Sequence, residues 1–280
     1  MTFYTPLSIV TVVKDDDIGL QKTYNSLQRL LPFSQLLLIT PFNDSSTHKA
    51  AFEISKKSPN VVLLEDDGVG IYPAMNKAVH FVDDECWVWY LNAGDTFPTT
   101  CDPRQFLSRL ASVSSNWAYF AFNLYDEEER LLSVKSAPRI FSVKNQLFAR
   151  NYVSHQATFM KGALLKRLQG FDPGYYVAAD WDLLCRANSI EPPERVDLVV
   201  VDFFLGGYST ANRRRGNSEL LKLREVHLPR NLKLISHLWY FYRYIRISLI
   251  NSLDFISPKL IRNWRHLKVV LSRIKGSASS

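Results

Sequence analysis

The sequence predicts an α/β protein with a mostly parallel central sheet, followed by a basic helical C-terminal tail. Short apolar runs of strand length alternate along the chain with segments whose apolar residues recur at helical spacing. Of the 280 residues, 46% are apolar and 22% are charged, which is typical of a globular chain with a sizeable core. We expect one large domain over residues 1–215 and a helical extension over residues 216–280.

Four apolar runs define the strands of the first half. The first is "LSIVTVV" at residues 7–13, a continuous β-branched run typical of a buried strand. The next three are "QLLLIT", "NVVLLE" and "CWVWYL". Segments with helical spacing separate them, over residues 18–31, 46–57 and 71–81, and Pro32 ends the first of these. Alternation of this kind predicts a parallel sheet with right-handed crossovers.

The second half continues the alternation and then changes character. A helix is expected near residues 103–114, and "WAYFAFNLY" and "RVDLVVVDFFLGGYS" have the composition of strands. Beyond about residue 217 the pattern becomes helical and basic. The tail from residue 211 holds 15 Lys and Arg against three acidic residues, so it is near +12 while the rest of the chain is near −5.

Cysteine usage and the N-terminal residues favour a cytoplasmic protein. Cys86, Cys101 and Cys185 are widely separated, without the close spacing of a zinc or redox motif, so we expect three reduced and mostly buried thiols. The first residues lack the basic start and small-residue cleavage site of a signal peptide, and Lys14 ends their apolar run.

The polar residues directly after each predicted strand are the candidates for ligand binding, because parallel α/β sheets bind ligands beyond the carboxyl ends of their strands. They are Lys14 to Asp17, Asn43 and Asp44, Glu65 to Asp67, and Asn92 to Asp95. In "WYLNAGDTF", Asp95 follows a buried strand, and Gly94 allows close backbone approach. A divalent cation that holds a diphosphate needs hard oxygen ligands of this kind. A plain β-turn explains the same four residues equally well.

Two further segments carry candidate catalytic groups. In "FDPGYYVAADWDLL", Asp180 and Asp182 stand where a helix begins, so each is either a helix-capping acid or a general base for a hydroxyl. Two residues apart at a helix start, they cannot both point at one substrate. His155 in "NYVSHQATFM" is either a structural hydrogen-bonding group or part of the site. Arg213 to Arg215 suit phosphate binding, although such a run is also typical of a solvated surface.

Five segments in order, "LSIVTVVKDD", "EDDGVGIYPAMNKAV", "WYLNAGDTF", "SHQATFM" and "FDPGYYVAADWDL", make the chain similar to a known family over about residues 7–210. It resembles the family 2 inverting glycosyltransferases of the A-type nucleotide-sugar fold, in particular the bacterial enzymes of exopolysaccharide, capsule and lipopolysaccharide assembly. The resemblance implies a Rossmann-like domain with a nucleotide-binding half over about residues 1–100 and an acceptor half over about residues 101–215.

The resemblance also implies roles for particular residues. Asp95 would hold Mn²⁺ or Mg²⁺, with Asn92 beside it, and Asp180 would be the catalytic base. The donor, a UDP- or GDP-sugar, would lie along the strand ends. The other donor-binding candidates are Thr11, Val13, Lys14, Asp44, Asp67, Gly70, Asn76, Lys77, His155, Arg213 and Arg215.

The chain departs from the family pattern at three places. After the second strand it has "TPFNDSS" in place of an acidic, Ser-rich loop, and Asp44 is the residue that would substitute for that loop's acid. Ala179 precedes Asp180 where many relatives have Glu. Pro73 replaces the Asp of "GIYDAMNK", a change that the first turn of a helix accepts.

The acceptor expected from the resemblance is a glycan or a polyprenyl-linked glycan. Arg243 and Arg246 interrupt the most apolar stretch of the tail, so a membrane-spanning helix is not expected. Aromatic residues among Arg and Lys instead favour a helix that lies on an anionic membrane, which places the protein on the inner face of the cell membrane. An ordinary helical cap on the core is the alternative.

Three other functions compete with this interpretation. A non-catalytic nucleotide-sugar or membrane-binding protein on the same fold would bind without turnover, and the presence of both Asp95 and Asp180 argues against it. A nucleic-acid-binding protein would carry its positive charge on the domain with the stacking surface, whereas the first 210 residues are net acidic, so no nucleic-acid partner is expected. A sugar nucleotidyltransferase would have a glycine-rich basic loop where this chain has "KDDDIG".

Overall fold

The computed structural model describes residues 6–42, 45–150 and 152–256. Its first half contains four parallel strands in the order β3-β2-β1-β4, which three helices connect. The strands are β1 (Leu7–Val12), β2 (Gln35–Pro41), β3 (Val61–Asp66) and β4 (Trp87–Tyr90), and the helices are α1 (Asp17–Leu27), α2 (Ser46–Lys57) and α3 (Ile71–Lys77). These elements confirm the alternation predicted from the sequence.

Four further strands extend the sheet in the second half. They are β5 (Trp117–Tyr125), β6 (Leu131–Lys135), β7 (Thr158–Lys161) and β8 (Glu194–Phe204). The order becomes β3-β2-β1-β4-β7-β5-β6, and β8 pairs in parallel with β5. Strand β7 runs antiparallel to both neighbours, with Phe159 opposite Trp89 on one side and Ala118 on the other. The predicted mostly parallel central sheet is therefore confirmed, with antiparallel strands confined to its second half.

Helices cover both faces of the sheet, which explains why its strands are continuously apolar. Successive residues of β1 alternate between the two layers: Ile9 belongs to one buried cluster and Val10 to the other. Helix α4 (Pro103–Ala111) inserts Phe106 into the first cluster, and α3 contributes Met75 to the second.

Local signals fix the helix ends. The side chain of Asp16 accepts a hydrogen bond from the Gly19 amide at the start of α1. Helix α1 ends at Leu27, earlier than the sequence pattern predicts, and a short 3-10 turn at Leu31–Phe33 follows. Pro73 lies in the first turn of α3, where it removes no intrahelical hydrogen bond, and a 3-10 turn at Ala78–Phe81 completes the predicted helix.

The C-terminal part is helical, as predicted. The helices that precede it in the second half are α5 (Val143–Leu147), α6 (Gly162–Arg167), α7 (Ala179–Ile190) and α8 (Tyr208–Ala211). Its own helices are α9 (Arg213–His227) and α10 (Lys233–Ile256). Helix α9 crosses the expected domain boundary at residue 215, and its Leu220 and Leu223 pack with Leu147 and Cys185. In the described part of the chain, no helix is long and apolar enough to cross a membrane. Residues 257–280 of the predicted tail lie outside the described ranges.

Candidate active site

A cleft of about 670 Å³ lies beyond the carboxyl ends of β1, β3 and β4. One group of lining residues follows these strands, and the other comes from the segments that precede β7 and α7 and that follow β8. Among the predicted site residues, those that line the cleft are Val13, Lys14, Gly70, Asn92, Asp95, His155 and Asp180. The fold therefore brings seven of the candidates together from five separate stretches of sequence.

Asp95 is held rigidly at the end of the turn after β4. Its Oδ1 accepts a hydrogen bond from the Phe204 amide at 2.9 Å, and its carbonyl oxygen accepts one from the Thr23 hydroxyl at 2.7 Å. Gly94 has a φ of +93°, and its amide donates to the Gly19 carbonyl at 3.1 Å. Burial raises the pKa of Asp95 to about 8, although the Phe204 amide and the charge of Lys22 oppose the shift.

Asp95 suits a cation whose coordination a substrate completes, and two other oxygens of the cleft lack partners. Asn92 Oδ1 and Asp66 Oδ1 are buried without a hydrogen-bond partner, and both residues line the same cleft. The described residues contain no group of three or more His, Cys, Asp or Glu that could enclose a metal ion. Mg²⁺ commonly binds to one or two carboxylates together with substrate phosphates. Asp95 fits that kind of site.

Asp180 lies in the first turn of α7. Its Oδ1 is 3.0 Å from the hydroxyl oxygen of Tyr72, whose proton is also within reach of the Val177 carbonyl at 2.7 Å. Burial raises the pKa of Asp180, while the charge of His155 and the hydrogen bond from Tyr72 oppose the rise. Burial also lowers the pKa of His155, which the charge of Asp180 opposes. A buried carboxyl whose pKa is raised and which lines a cleft can act as a general base.

Asp182 points away from the cleft, into the helical region. It accepts hydrogen bonds from Arg186 Nε at 2.5 Å and pairs with His227 Nε2 at 2.9 Å. Burial raises its pKa, but the hydrogen bonds from His227 and Arg186 outweigh that effect and hold the pKa below its usual value. The two acids of "ADWD" therefore have different environments, and Asp182 pairs with Arg186 within α7 and links this helix to α9 through His227.

Three of the other candidates make contacts within the fold. The Thr11 hydroxyl donates to the Leu91 carbonyl at 2.9 Å. The Asn76 amide group donates to the Phe171 carbonyl at 2.7 Å and accepts from its amide at 2.8 Å. Lys77 Nζ donates to the Glu65 carbonyl at 2.6 Å. These side chains support the walls of the site instead of facing it.

Four candidates remain. Asp67 is exposed and is not among the described residues that line the cleft. Arg213 and Arg215 are absent from them as well, and Arg215 Nε lies 3.2 Å from Glu219 Oε1. Asp44 lies outside the described residues.

Two residues of the cleft differ from the roles that the sequence predicts. Within the candidate run Glu65 to Asp67, Asp66 lines the cleft and Asp67 does not; the period of two along β3 is the signal that separates them, because Val62, Leu64 and Asp66 share the face that packs on α3. Tyr72 contacts Asp180 across 108 residues of sequence, and no local pattern indicates that pair.

No protein-family model matches the sequence. Two curated proteins of Mycobacterium tuberculosis, from strains CDC 1551 / Oshkosh and H37Rv, are each 25% identical to the chain over 256 residues. The similarity covers 87% of this chain and 95% of each relative, and both relatives are named as uncharacterized glycosyltransferases.

The fold is similar to that of several solved structures, among them complexes with nucleotide sugars. Staphylococcus aureus TarS 1–349 superposes with a TM-score of 0.61 at 13% identity, covering 97% of this chain and 82% of that one. The mannosyltransferase PcManGT from Pyrobaculum calidifontis, in complex with GDP-Man and Mn²⁺, superposes with a TM-score of 0.59 at 13% identity, covering 98% and 87%. TarS 1–349 has also been solved with UDP-GlcNAc and gives a TM-score of 0.60 at 12% identity, covering 94% and 79%. The solved structures show the fold that the chain shares with them, and the two relatives, by their name, support a glycosyltransferase.

Proposed function

We propose that the chain is an inverting glycosyltransferase that moves a sugar from a UDP- or GDP-sugar to a hydroxyl of a polyprenyl-linked glycan, in the assembly of a bacterial exopolysaccharide, capsule or lipopolysaccharide. The observation that carries the proposal is a single cleft, at the carboxyl ends of the strands, lined by both Asp95 and Asp180. The sequence similarity to proteins named as glycosyltransferases and the fold similarity to complexes with UDP-GlcNAc and GDP-Man support it.

The proposed reaction is one displacement at the anomeric carbon. Asp180 takes the proton from the acceptor hydroxyl while that oxygen forms its bond to the anomeric carbon. The bond from this carbon to the diphosphate oxygen breaks, and its electron pair leaves with the nucleoside diphosphate. Tyr72 and His155 hold Asp180 ready for the transfer, since each favours its ionised form. A divalent cation held by Asp95 would offset the charge that develops on the diphosphate.

A thermal-shift screen of nucleoside diphosphates and nucleotide sugars, with Mn²⁺ or Mg²⁺, tests the donor part of the proposal. One nucleotide series should raise the Tm, and the rise should depend on the metal. Asp95→Ala should remove the dependence on metal and weaken donor binding. Asp197→Asn should change neither, because Asp197 is an exposed acid near the start of β8, whereas the end of β8 lines the cleft. The donor assignment fails if no nucleotide stabilises the wild-type protein under either metal.

The base is tested by turnover with the donor found in that screen. Asp180→Asn keeps the size of the side chain but cannot accept the proton, so transfer should fall by at least a thousandfold while the donor Kd changes by less than about threefold. Asp197→Asn serves as the matched control and should turn over normally. Wild-type rates in the Asp180→Asn protein would exclude Asp180 as the base, and donor binding without turnover by the wild type would favour a non-catalytic binding protein.

Membrane attachment through the tail is the second part of the proposal. Six apolar residues on the outer face of α10 are between 51% and 72% exposed, and they recur with helical spacing. They are Leu234, Ile235, Leu238, Phe241, Ile245 and Leu249. Arg246, an exposed residue of the same helix, lies beside this stripe at helical spacing. An apolar outer face flanked by a basic residue has the chemistry of a helix that lies on an anionic membrane.

Co-sedimentation of the full chain with vesicles of phosphatidylcholine, with and without phosphatidylglycerol, tests this attachment. The protein should pellet with the anionic vesicles, and more weakly at high salt. Phe241→Glu, in the stripe, should release it, whereas Val226→Glu, at an equally exposed apolar position of α9, should not. Attachment through α10 is contradicted if the Phe241→Glu protein pellets as the wild type does.

A further inference from the structure

We propose that Glu219, on α9, is a positioning residue that fixes the wall segment 176–178 and thereby sets the place of Asp180 in the cleft. The inference rests on the proposed function, because it assigns to Glu219 a role in the proton transfer to Asp180. Nothing in the sequence pattern singles out Glu219, which lies 39 residues beyond Asp180 in a helix predicted only as part of the basic tail.

The contacts of Glu219 are unusual for a tail residue. It is only 5% exposed, and its carboxylate accepts three hydrogen bonds from consecutive backbone amides. Oε1 accepts from the Tyr176 amide at 3.0 Å, while Oε2 accepts from the Val177 amide at 2.8 Å and the Ala178 amide at 3.0 Å. With the hydrogen bond from Arg215 Nε to Oε1 at 3.2 Å, the carboxylate has four donors for its roughly four acceptor sites, which hold it in one orientation.

These three amides stand directly before the helix that carries the base. Helix α7 begins at Ala179, and its N-cap residue, Ala178, has no side chain able to cap it. Glu219, from another helix, accepts from the amide of this N-cap residue and from the two amides before it, and its negative charge lies near the positive end of the α7 dipole. The start of α7 is thereby fixed by a residue that is remote in sequence.

The fixed segment is part of the cleft. Tyr176 and Val177 both line it, and the Val177 carbonyl accepts the hydrogen bond from Tyr72. Asp180 follows Ala178 by two residues, in the first turn of the helix. A rotation of the 176–178 segment would therefore move the base and its hydroxyl partner together.

Arg215 holds the same segment from a second direction. Its Nε lies 3.2 Å from Glu219 Oε1, and its guanidinium carbon lies 3.9 Å from the centre of the Tyr176 ring. The cation offsets the charge of the buried carboxylate, which would otherwise be costly to bury. Arg215 therefore acts with Glu219 on the wall of the cleft, which is a different role from contact with the donor phosphates.

Glu219→Gln tests the inference, because the Gln side chain has one acceptor oxygen, whereas the three backbone N–H groups are bound by two oxygens of Glu219. The variant loses at least one hydrogen bond and places its NH₂ group against a backbone N–H. We expect kcat to fall by at least tenfold, with the donor Kd within about threefold of the wild-type value. Hydrogen exchange should accelerate at residues 176–182 and stay unchanged in β1 and β4. The matched control is Glu225→Gln on the same helix, where the carboxylate is exposed and pairs with His237.

Arg215→Gln is the second variant, since it leaves in place all three hydrogen bonds from backbone N–H groups to Glu219. It should lower kcat by two- to fivefold and leave the donor Kd unchanged, and it decides the question if Glu219→Gln does not fold. The inference is overturned if kcat of the Glu219→Gln protein equals that of the wild type, or if exchange accelerates throughout the domain, as it would in a merely destabilised protein. If the wild type turns over no donor, the proposed function fails, and exchange at residues 176–182 alone decides whether Glu219 fixes the segment.

Discussion

Removing the hydroxyl of Tyr72 should change the pH dependence of the enzyme more than its maximal rate. The Tyr72→Phe protein keeps the ring, which stacks on Phe171 at a centroid distance of 5.3 Å, and loses the oxygen 3.0 Å from Asp180 Oδ1. The hydrogen bond from Tyr72 opposes the burial that raises the pKa of Asp180. Without that bond, the pKa of Asp180 should rise further above its usual value.

The size of the effect follows from the geometry of the shared proton. A hydrogen bond to a charged group contributes about 1.5–3 kcal/mol, and the Val177 carbonyl, at 2.7 Å, competes for the single phenolic proton. We therefore take the lower end, about 1.5 kcal/mol, which corresponds to about a tenfold change in the ionised fraction. Because the base must be ionised, kcat/KM at acidic pH should fall about tenfold, while the plateau at higher pH should change by less than about twofold.

Release of the nucleoside diphosphate, measured across the pH range with the donor found by thermal shift, provides the assay. The acidic limb of kcat/KM should move to higher pH in the Tyr72→Phe protein. Tyr90→Phe is the control, because this buried hydroxyl donates to the Met75 carbonyl at 3.3 Å instead of to Asp180. A limb that stays in place, or that moves to lower pH, would refute the role of Tyr72 as a donor to the base.

Three further predictions concern stability, each measured by urea denaturation. Asp182→Asn should cost about 3 kcal/mol at pH 7, because it removes the buried carboxylate that pairs with Arg186 and His227 and leaves the Arg186 cation without its counter-charge. The difference from wild type should shrink as the pH falls through the lowered pKa of Asp182, and a cost below about 1 kcal/mol would contradict the pairing. Gly170→Ala should cost about 2 kcal/mol, since φ is +67° and a Cβ would lie 2.3 Å from Asn76 Oδ1; an unchanged midpoint would contradict this. Phe106→Ala should cost about 3–5 kcal/mol because the ring is fully buried, and a loss below about 1 kcal/mol would show that the core refills the space.

The sequence predicted the parallel half of the fold well because each element there has a local cause. The β-branched run of β1, the Asp16 cap of α1 and the tolerance of the first helical turn for Pro73 are all readable from neighbouring residues. The place of β7 is different, because its insertion between β4 and β5 depends on pairing with strands far away in the chain. Neither the direction nor the neighbours of such a strand follow from its own four residues.

The candidate site could be predicted where it follows the strands and not where helices complete it. Asp95, Asn92 and Lys14 were predicted because the carboxyl ends of parallel strands meet at one edge of the sheet. Asn76 is a polar residue of the kind that binds ligands, yet its side-chain nitrogen and oxygen are both hydrogen-bonded to the backbone of Phe171. A polar side chain can serve the wall of a site as well as its ligand, and only the tertiary contacts distinguish the two roles.

Helix α9 joins the two parts of the molecule that composition separates into an acidic domain and a basic tail. Glu219 binds the amides that precede α7, and His227, two turns later on the same helix, pairs with Asp182 inside α7. Helix α7, which carries the proposed base, is therefore held at two points by a helix that the sequence assigns to the tail. At its other side, α9 packs on α10, where the Asn217 amide donates to the Tyr240 carbonyl at 3.2 Å. The helix that presents the apolar stripe is thus one layer away from Asp180, so the proposed membrane face and the proposed base belong to one continuous packing unit.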